Sequence, residues 1–333
     1  MSTAPGAAPD RDTFRRLAAD HTVVPVWREV LADFETPLSA FVKLVGDRDG
    51  FLLESVEHAQ RWGRYSFLGW DPITTLVVRG LDVETTGESL AGVPTDRGAL
   101  GALEAMIAKY RAPVLDDLPP FHGGIVGYLG YDFVREIERL PSPPTDDLGF
   151  PDAALCLTAS VAAFDHFGQR LFLVENVYVE PGADAATLDA AYDAACARIA
   201  SHEQRLAAPL PPMPSVVPPE RDDELPSFRR RTTPDAYAAA VGAAKEYILS
   251  GDIFQVVLAQ RFDVDLDADP FDVYRVLRQV NPSPYMYFLR HPEITIVGSS
   301  PEPMVQLLQG KVISRPIAGT RRRGRDDEHD RRM

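Results

Sequence analysis

The stretch AALCLTASVAAFDHFGQRLFLVENVYV, residues 153–179, contains two apolar runs separated by a short break. The break, DHFGQ, includes Gly168, which can supply the positive φ of a tight hairpin turn. We therefore predict strands over 153–164 and 170–179 that pair in antiparallel order. A parallel pair would instead need a long crossover connection, usually a helix, between its strands.

The flanking sequence continues this mixture of helices and strands. Strands are predicted around residues 51–54, 73–79 and 123–129, and helices over 97–111 and 183–206. The two kinds of element follow each other without a regular βαβ order. The predicted fold class is therefore α+β, with antiparallel β-sheets flanked by helices.

A proline-rich segment divides the chain. Seven prolines fall within residues 209–226, and proline lacks an amide donor and biases the preceding residue away from helix. This composition predicts an extended linker. The expected organisation is a flexible N-terminal tail over 1–20, a first domain over 21–206, a Pro-rich linker over 207–230 and a second domain over 231–333. The first ordered element is expected near Val23.

The second predicted domain begins with a clear helix signal. Thr233 is a good N-cap, Pro234 suits the first helical position, and Gly251 marks the helix end. Apolar residues alternate over 254–266 and predict a strand. A further helix, two strands and a hairpin at 309–310 are expected next. Because no segment closes the sheet, we expect this domain to be incomplete.

Composition and charge exclude several classes of function. The net charge of -15 argues against a general nucleic-acid binder, which needs Lys and Arg to neutralise phosphates. No apolar run approaches the roughly 18 residues of a membrane span, and the N-terminus lacks the apolar core of a secretion signal. Cys156 and Cys196 show no disulfide or metal-binding pattern. A cytoplasmic protein without membrane or nucleic-acid partners is expected.

General catalytic motifs are absent from the sequence. The segment GGIVGYLGYD, residues 123–132, is rich in glycine, but its spacing matches no phosphate-binding loop. We interpret it as a strand that packs closely against another backbone.

Five blocks together carry a resemblance. They are LLESVEHAQRWGRYSFLG (52–69), GDIFQVVLAQRF (251–262), NPSPYMYFLR (281–290), GSSPEP (298–303) and PIAGTRRRGR (316–325). In this order they resemble the component I proteins of anthranilate synthase, within the chorismate-utilising enzyme family. The resemblance covers nearly all of the chain after about residue 20. It implies an N-terminal domain and a chorismate-binding domain built from antiparallel sheets with helices outside.

The resemblance implies a tryptophan-binding site for feedback inhibition. The blocks LLES and NPSPYM line this site in the family, and they correspond here to Ser55 and to Pro284, Tyr285 and Met286. Their chemistry fits, since a hydroxyl can bond the polar head of an amino acid. The prolines, the aromatic ring and the thioether would form an apolar slot for indole.

The block PIAGT corresponds to part of the family's chorismate site. Gly319 permits close approach of a ligand, and Thr320 offers hydrogen bonds. In the related aminodeoxychorismate synthases this block commonly carries a lysine as a candidate nucleophile, where Ala318 stands here. The alanine favours direct attack by ammonia on chorismate. Glu302 is a candidate catalytic carboxylate, expected beside this block, although a solvated glutamate is a common alternative.

The resemblance also implies an activity and its requirements. Chorismate and ammonia would give anthranilate and pyruvate, the first step of tryptophan biosynthesis, with Mg2+ as cofactor and ammonia from a glutamine amidotransferase partner subunit. In the family, the Mg2+ ligands and a catalytic histidine follow the region matched here. We therefore predict no metal-binding residue in these 333 residues and no activity of this chain alone. Two alternatives stay open: aminodeoxychorismate synthase component I, and a non-catalytic tryptophan-binding module.

Overall fold

The computed structural model describes residues 6–56, 63–87, 91–220, 226–308, 310–317 and 321–333. The helices are α1 (Arg11–Asp20), α2 (Pro37–Ala40), α3 (Gly98–Lys109), α4 (Ala185–Ala207), α5 (Pro234–Ser250), α6 (Pro270–Val280) and α7 (Asp327–Arg332). The strands are β1 (Val23–Leu31), β2 (Gly50–Glu54), β3 (Tyr65–Trp70), β4 (Thr74–Arg79), β5 (Asp82–Gly87), β6 (Ile125–Leu129), β7 (Ala153–Leu157), β8 (Ser160–Asp165), β9 (Arg170–Tyr178), β10 (Arg229–Arg230), β11 (Phe262–Asp263), β12 (Tyr285–His291), β13 (Ile294–Ser300), β14 (Gln306–Leu308) and β15 (Lys311–Ile313).

The strands form antiparallel sheets, which confirms the α+β class. The largest has seven strands in the order β1-β9-β8-β3-β2-β12-β13, and a second has four in the order β5-β4-β7-β6. The chain divides into two compact units, one of Met1–Ser215 with Leu277–Met333 and the other of Val216–Val276. The domain boundaries predicted at 206 and 231 stay a prediction.

The hairpin of β8 and β9 forms where the sequence predicts it, with Asp165 opposite Arg170. The positive φ, however, lies at Gln169 (51°) and not at Gly168. The Asp165 carboxylate accepts hydrogen bonds from the amides of Phe167 and Gly168, each at 3.2 Å, and fixes the turn. A Cβ at Gly168 would lie 2.7 Å from Arg170 Nε. The glycine therefore makes room for the arginine rather than supplying the left-handed residue.

The run 153–164, predicted as one strand, is two strands in different sheets. β7 pairs with β4 and β6, whereas β8 pairs with β3 and β9. The chain changes sheets at Thr158, whose amide donates to Gly124 O (2.9 Å) and whose Oγ1 accepts from Gly124 N (3.0 Å). These bonds satisfy the polar groups that neither ladder uses.

The four-stranded sheet packs against α3. Its core consists of buried apolar side chains from both: Leu76, Val78, Val83, Ala99, Ala102, Met106, Ala153, Leu155 and Leu157. Gly127, in β6, lies so close to β7 that a Cβ would stand 2.0 Å from Ala154 O. The interpretation of GGIVGYLGYD as a strand against another backbone is confirmed at this glycine.

Residues 11–20 form α1 and are not a flexible tail, so the prediction that order begins near Val23 is wrong. Asp10 caps the helix by accepting from Thr13 N at 2.7 Å. Phe14 is fully buried, with its ring centroid 5.4 Å from that of Tyr192 in α4. Arg15 is paired with Asp189 at 2.5 Å. The sequence around Phe14 is dominated by charge, which hid its single buried anchor.

Helix α4 is fixed to the large sheet by a buried carboxylate. Glu175, in β9, has no exposed side-chain surface. Its oxygens accept from Ser160 Oγ (2.6 Å) and Arg198 Nε (2.6 Å) and lie 2.7 Å from His202 Nε2. Although burial raises the pKa of Glu175, these hydrogen bonds outweigh it and leave the pKa below its usual value. The charged carboxylate therefore holds two residues of the helix to the strand.

In the unit of residues 216–276, α5 follows the sequence prediction. Thr233 Oγ1 accepts from Ala236 N (3.2 Å), and Gly251 ends the helix with φ of 82°. The strand predicted over 254–266 is wrong, because only Phe262 and Asp263 are in a strand, paired with β10. Phe254 is 95% exposed. Alternation alone does not form a strand when no partner strand supplies the hydrogen bonds.

Among the described residues, no helix is both long and apolar enough to cross a membrane.

Candidate functional site

Two distant stretches of sequence meet in the large sheet. Strand β2 pairs with β12, and this pairing sets Glu54 opposite Met286. Beyond the end of β2, the amide of Val56 donates to Ser283 O at 3.0 Å. The ladder thus places Ser55 beside the segment that contains Pro284 and Tyr285.

A cavity of about 470 Å³ opens at this junction. All four residues predicted for tryptophan binding line it: Ser55, Pro284, Tyr285 and Met286. It is also lined by Leu53, Glu54, Tyr65, Phe67, Phe121, Tyr287 and Gln306. Its volume lies within the range of cavities that hold small organic ligands. The structure therefore brings together the residues that the sequence comparison grouped.

Aromatic rings form one wall of this cavity. Tyr65 and Phe67 stack with ring centroids 5.8 Å apart, and Phe67 meets Phe121 edge to face at 5.3 Å. Burial raises the pKa of Tyr65, so its hydroxyl stays protonated at neutral pH. Such a wall suits a flat aromatic ligand, since ring pairs at these distances are attractive.

Ser55 carries an unsatisfied hydrogen-bonding group. Its Oγ is buried and has no hydrogen-bond partner among the described residues. A buried hydroxyl without a partner is costly, so it is a natural contact for a polar ligand group. The cavity thus combines an aromatic wall with an unsatisfied hydroxyl.

A buried ion pair lies next to Ser55 in the chain. Glu54 and Arg278, in the last turn of α6, approach with Nε–Oε2 at 2.9 Å and Nη2–Oε1 at 3.0 Å. Opposite Glu54 in β3, Ser66 Oγ lies 2.8 Å from His166 Nε2. Burial lowers the pKa of His166 and favours its neutral form.

Four aromatic residues line the cavity without having been predicted from the sequence: Tyr65, Phe67, Phe121 and Tyr287. The ladders place Leu53 opposite Phe67 on one side and Tyr287 on the other. Because side chains alternate between faces, Ser55 shares a face with Leu53 and its neighbours. The alternation in RYSF (64–67) was a usable signal. Phe121 carried none, because its position depends on the packing of a loop.

Comparison with known proteins decides the family. A sequence model described as chorismate binding enzyme matches residues 51–333. The chain belongs to this family. The matched range contains both stretches that frame the cavity.

Several curated relatives of this chain are named anthranilate synthase component 1. Anthranilate synthase component 1 of Mycobacterium tuberculosis (strain H37Rv) is 44% identical over 97% of this chain and 64% of its own length. That of Pseudomonas aeruginosa is 40% identical over 96% of this chain and 65% of its length. The crystal structure of anthranilate synthase component I from Streptococcus pneumoniae is 25% identical, with a TM-score of 0.59 over 85% of this chain and 59% of that one. The chain spans slightly less than two thirds of the curated relatives' length.

Of the residues predicted to act on chorismate, the structure describes only Glu302, which does not line the cavity described above. Gly319 and Thr320, with Ala318 before them, are outside the described residues. Glu302 is exposed, and its Oε1 accepts from the amide of Ile317 at 2.7 Å. Glu302 therefore lies beside the start of the PIAGT block, where the sequence analysis expected it.

The described residues offer no cage for a metal ion in this family member. They contain no group of three or more His, Cys, Asp or Glu side chains arranged to hold one. Mg2+ prefers octahedral oxygen coordination, often with several waters. The described part of the chain therefore does not fit the cofactor by itself.

Proposed function

We propose that the protein acts as component I of an anthranilate synthase in the cytoplasm. It would convert chorismate and ammonia to anthranilate, pyruvate and water, the first step of tryptophan biosynthesis. The shared name of relatives that are 37–44% identical supports this activity. Ammonia would come from glutamine through an amidotransferase partner subunit.

The proposed chemistry assigns roles to three residues of the chain. Gly319 would let chorismate approach the backbone, and Thr320 would hydrogen-bond it. Glu302 would handle a proton or orient the substrate. Because Ala318 has no nucleophile, ammonia would attack the ring directly, after which water and then pyruvate leave. Mg2+ would neutralise substrate carboxylates, with its ligands outside the described residues.

We further propose that the cavity beside Ser55 is a tryptophan site for feedback inhibition. One observation carries this proposal: Ser55, whose buried Oγ has no hydrogen-bond partner among the described residues, lines the same cavity as the Pro284–Tyr285 segment. Ser55 would bond the polar head of the amino acid, and the aromatic wall would receive the indole.

Calorimetric titration of the 333-residue chain tests the inhibitor site. We expect one tryptophan per chain and much weaker binding of alanine, which has the same polar head without the ring. Absence of tryptophan binding, or equal binding of alanine, would contradict the assignment.

A chimera tests the activity. The C-terminal part of the Mycobacterium tuberculosis relative that lies beyond the match would be fused after Met333, and the product would be assayed with chorismate, ammonia and Mg2+. We expect anthranilate, identified by fluorescence and mass. Aminodeoxychorismate would point to the related synthase. Tryptophan binding by the chimera without turnover of either kind would favour a non-catalytic binding module.

A further inference from the structure

The ion pair between Arg278 and Glu54 lies in the sheet region that forms the cavity. The Glu54 side chain is 2% exposed and that of Arg278 is 22% exposed, and two contacts of 2.9 and 3.0 Å join them. The residues are 224 positions apart in the chain. The Glu54 charge has lost nearly all of its hydration, so its pairing with Arg278 offsets a desolvation cost.

We propose that Arg278 is a positioning residue for the ligand cavity. The end of β2 with Ser55 forms one side of the cavity, here called the Ser55 wall, and the segment with Pro284 and Tyr285 forms the other, the Pro284–Tyr285 wall. Through Glu54, Arg278 fixes the first wall relative to the second. The ligand assigned to this cavity, tryptophan, rests on the function proposed above. The positioning itself rests on contacts within the protein.

The Ser55 wall is held on both sides of the serine. Glu54, just before it, is opposite Met286 in the β2–β12 ladder and pairs with Arg278. Val56, just after it, donates its amide to Ser283 O. Side chains alternate between faces, so the Glu54 carboxylate lies on the opposite face of the sheet from Ser55. Its pairing with Arg278 therefore acts on Ser55 through the backbone that the two residues share.

The Pro284–Tyr285 wall comes shortly after α6, the helix that carries Arg278, in the sequence. The amide of Asn281 donates to Leu277 O at 2.9 Å, which continues the last turn of α6. Ser299 Oγ donates to Asn281 O at 2.8 Å, and Ser283 Oγ donates to Ser300 O. Arg278 thus lies at the start of a hydrogen-bonded connection that leads to Pro284, and its ion pair joins this connection to β2.

The alternative is that the pair only stabilises the fold, and these two roles predict different behaviour for a double substitution. Removing one partner leaves the other charge buried and unpaired, which destabilises the protein. Replacing both partners by uncharged residues of similar size often changes the stability little. A double variant therefore removes the anchor without leaving a buried charge.

The test compares Arg278→Met, Glu54→Gln and the double variant by thermal unfolding and by tryptophan titration. We expect both single variants to lower the Tm. We expect the double variant to regain most of the Tm while its tryptophan affinity stays at least about tenfold weaker than wild type. Recovery of affinity together with Tm would overturn the positioning role.

A matched pair serves as control. Arg28 and Glu203 form a similar contact at 2.5 Å, with side chains 18% and 28% exposed, and neither residue lines the cavity. The double substitution Arg28→Met with Glu203→Gln should leave tryptophan affinity unchanged. An equal loss of affinity there would show that general loosening, and not the Arg278 anchor, is responsible.

Hydrogen exchange separates failure of this inference from failure of the proposed inhibitor function. We expect peptides that include Val56 to exchange faster in the Arg278→Met, Glu54→Gln double variant, while β8 and β9 keep wild-type rates. Unchanged exchange at Val56 would overturn the positioning role whatever the ligand. Faster exchange in a protein whose wild type does not bind tryptophan would support the positioning and reject only the ligand.

Discussion

At the scale of single residues, Ser55 is distinguished by what its side chain lacks. Its hydroxyl is buried and has no partner in the part of the chain that the structure describes, whereas the nearby Ser66 and Ser283 are both hydrogen-bonded. The sequence marked Ser55 only through the LLES block, and the structure adds the unsatisfied atom.

Replacing Ser55 by alanine should separate binding from stability. We expect tryptophan affinity to fall about three- to tenfold, the value of one net hydrogen bond of roughly 0.5–1.5 kcal/mol. The free energy of unfolding should stay the same or rise slightly, because Ser55 Oγ makes no hydrogen bond to any described residue. Calorimetry and urea unfolding measure the two quantities. The exposed Ser215→Ala is the control, and unchanged affinity in Ser55→Ala would contradict the assignment.

We predict that the contribution of Asp165 to the stability of the fold depends on pH. The Arg64 guanidinium, with contacts at 3.0 and 2.8 Å, lowers the pKa of the Asp165 carboxyl to about 2, from a usual value of 3.8. A lowered folded-state pKa stabilises the protein above pH 4, and this contribution is lost as the pH falls from about 4 to about 2. Since Arg64 is half exposed, we expect roughly 1–2 kcal/mol.

The measurement is urea unfolding of wild type and Asp165→Asn between pH 2 and pH 7. Other carboxylates also titrate in this range, so the difference between the two proteins is the relevant quantity. We expect it to be largest at neutral pH and to shrink toward pH 2. A difference independent of pH would show that the charge of Asp165 is not the cause.

At the scale of elements, the close approach of β6 and β7 depends on Gly127. A Cβ there would stand 2.0 Å from Ala154 O and 2.8 Å from Leu155 Cα, both backbone atoms. Backbone atoms cannot rotate away as a flexible side chain can. We expect Gly127→Ala to lower the free energy of unfolding by about 1–3 kcal/mol, the usual range for overpacking.

Gly242→Ala serves as the control for Gly127→Ala, and urea denaturation measures the free energy of unfolding of both variants. This glycine lies inside α5, and a Cβ added to it would have no atom within 4 Å. Alanine is the better helix former by up to about 1 kcal/mol, so the substitution should stabilise the protein slightly. Equal effects of the two substitutions would refute the close-packing explanation for Gly127.

At the scale of the whole molecule, the large sheet joins both ends of the chain. Strands β12 and β13 extend it beyond β2, and the buried side chains of Met286 and Phe288 come from β12. Phe288 meets Phe41 with ring centroids 5.4 Å apart. A protein ending at Ser215 would keep β2 as an unpaired edge and expose the surface that these side chains cover.

We therefore expect a chain of residues 1–215 to aggregate or to unfold at a lower temperature than the 333-residue chain, because open apolar strand edges associate. A chain of residues 1–317 keeps β12 and β13 and should retain the Tm of the full chain. Light scattering and calorimetry measure both. A soluble 1–215 chain with unchanged Tm would instead support an independent first domain, as the linker suggests.

Elements that depend on neighbouring residues could be predicted from the sequence, whereas elements that depend on contacts with distant residues could not. The hairpin at Asp165 and the caps of α5 at Thr233 and Gly251 were predictable because a few neighbouring residues determine them. The strand over 254–266 was not, since a strand needs a partner that its own sequence does not encode. Helix α1 was missed because one buried ring, Phe14, holds it against a helix far along the chain.

The sequence by itself determined the α+β class and the family, and it grouped Ser55 with Pro284, Tyr285 and Met286, because local patterns and short motifs record them. Only the tertiary structure decided that these residues line one cavity, that Tyr65, Phe67 and Phe121 form its aromatic wall, and that Arg278 pairs with Glu54. The contact between Glu54 and Arg278, for example, joins residues 224 positions apart. The geometry of these contacts is set by strand order and register, which depend on burial summed over the whole sheet rather than on any one segment.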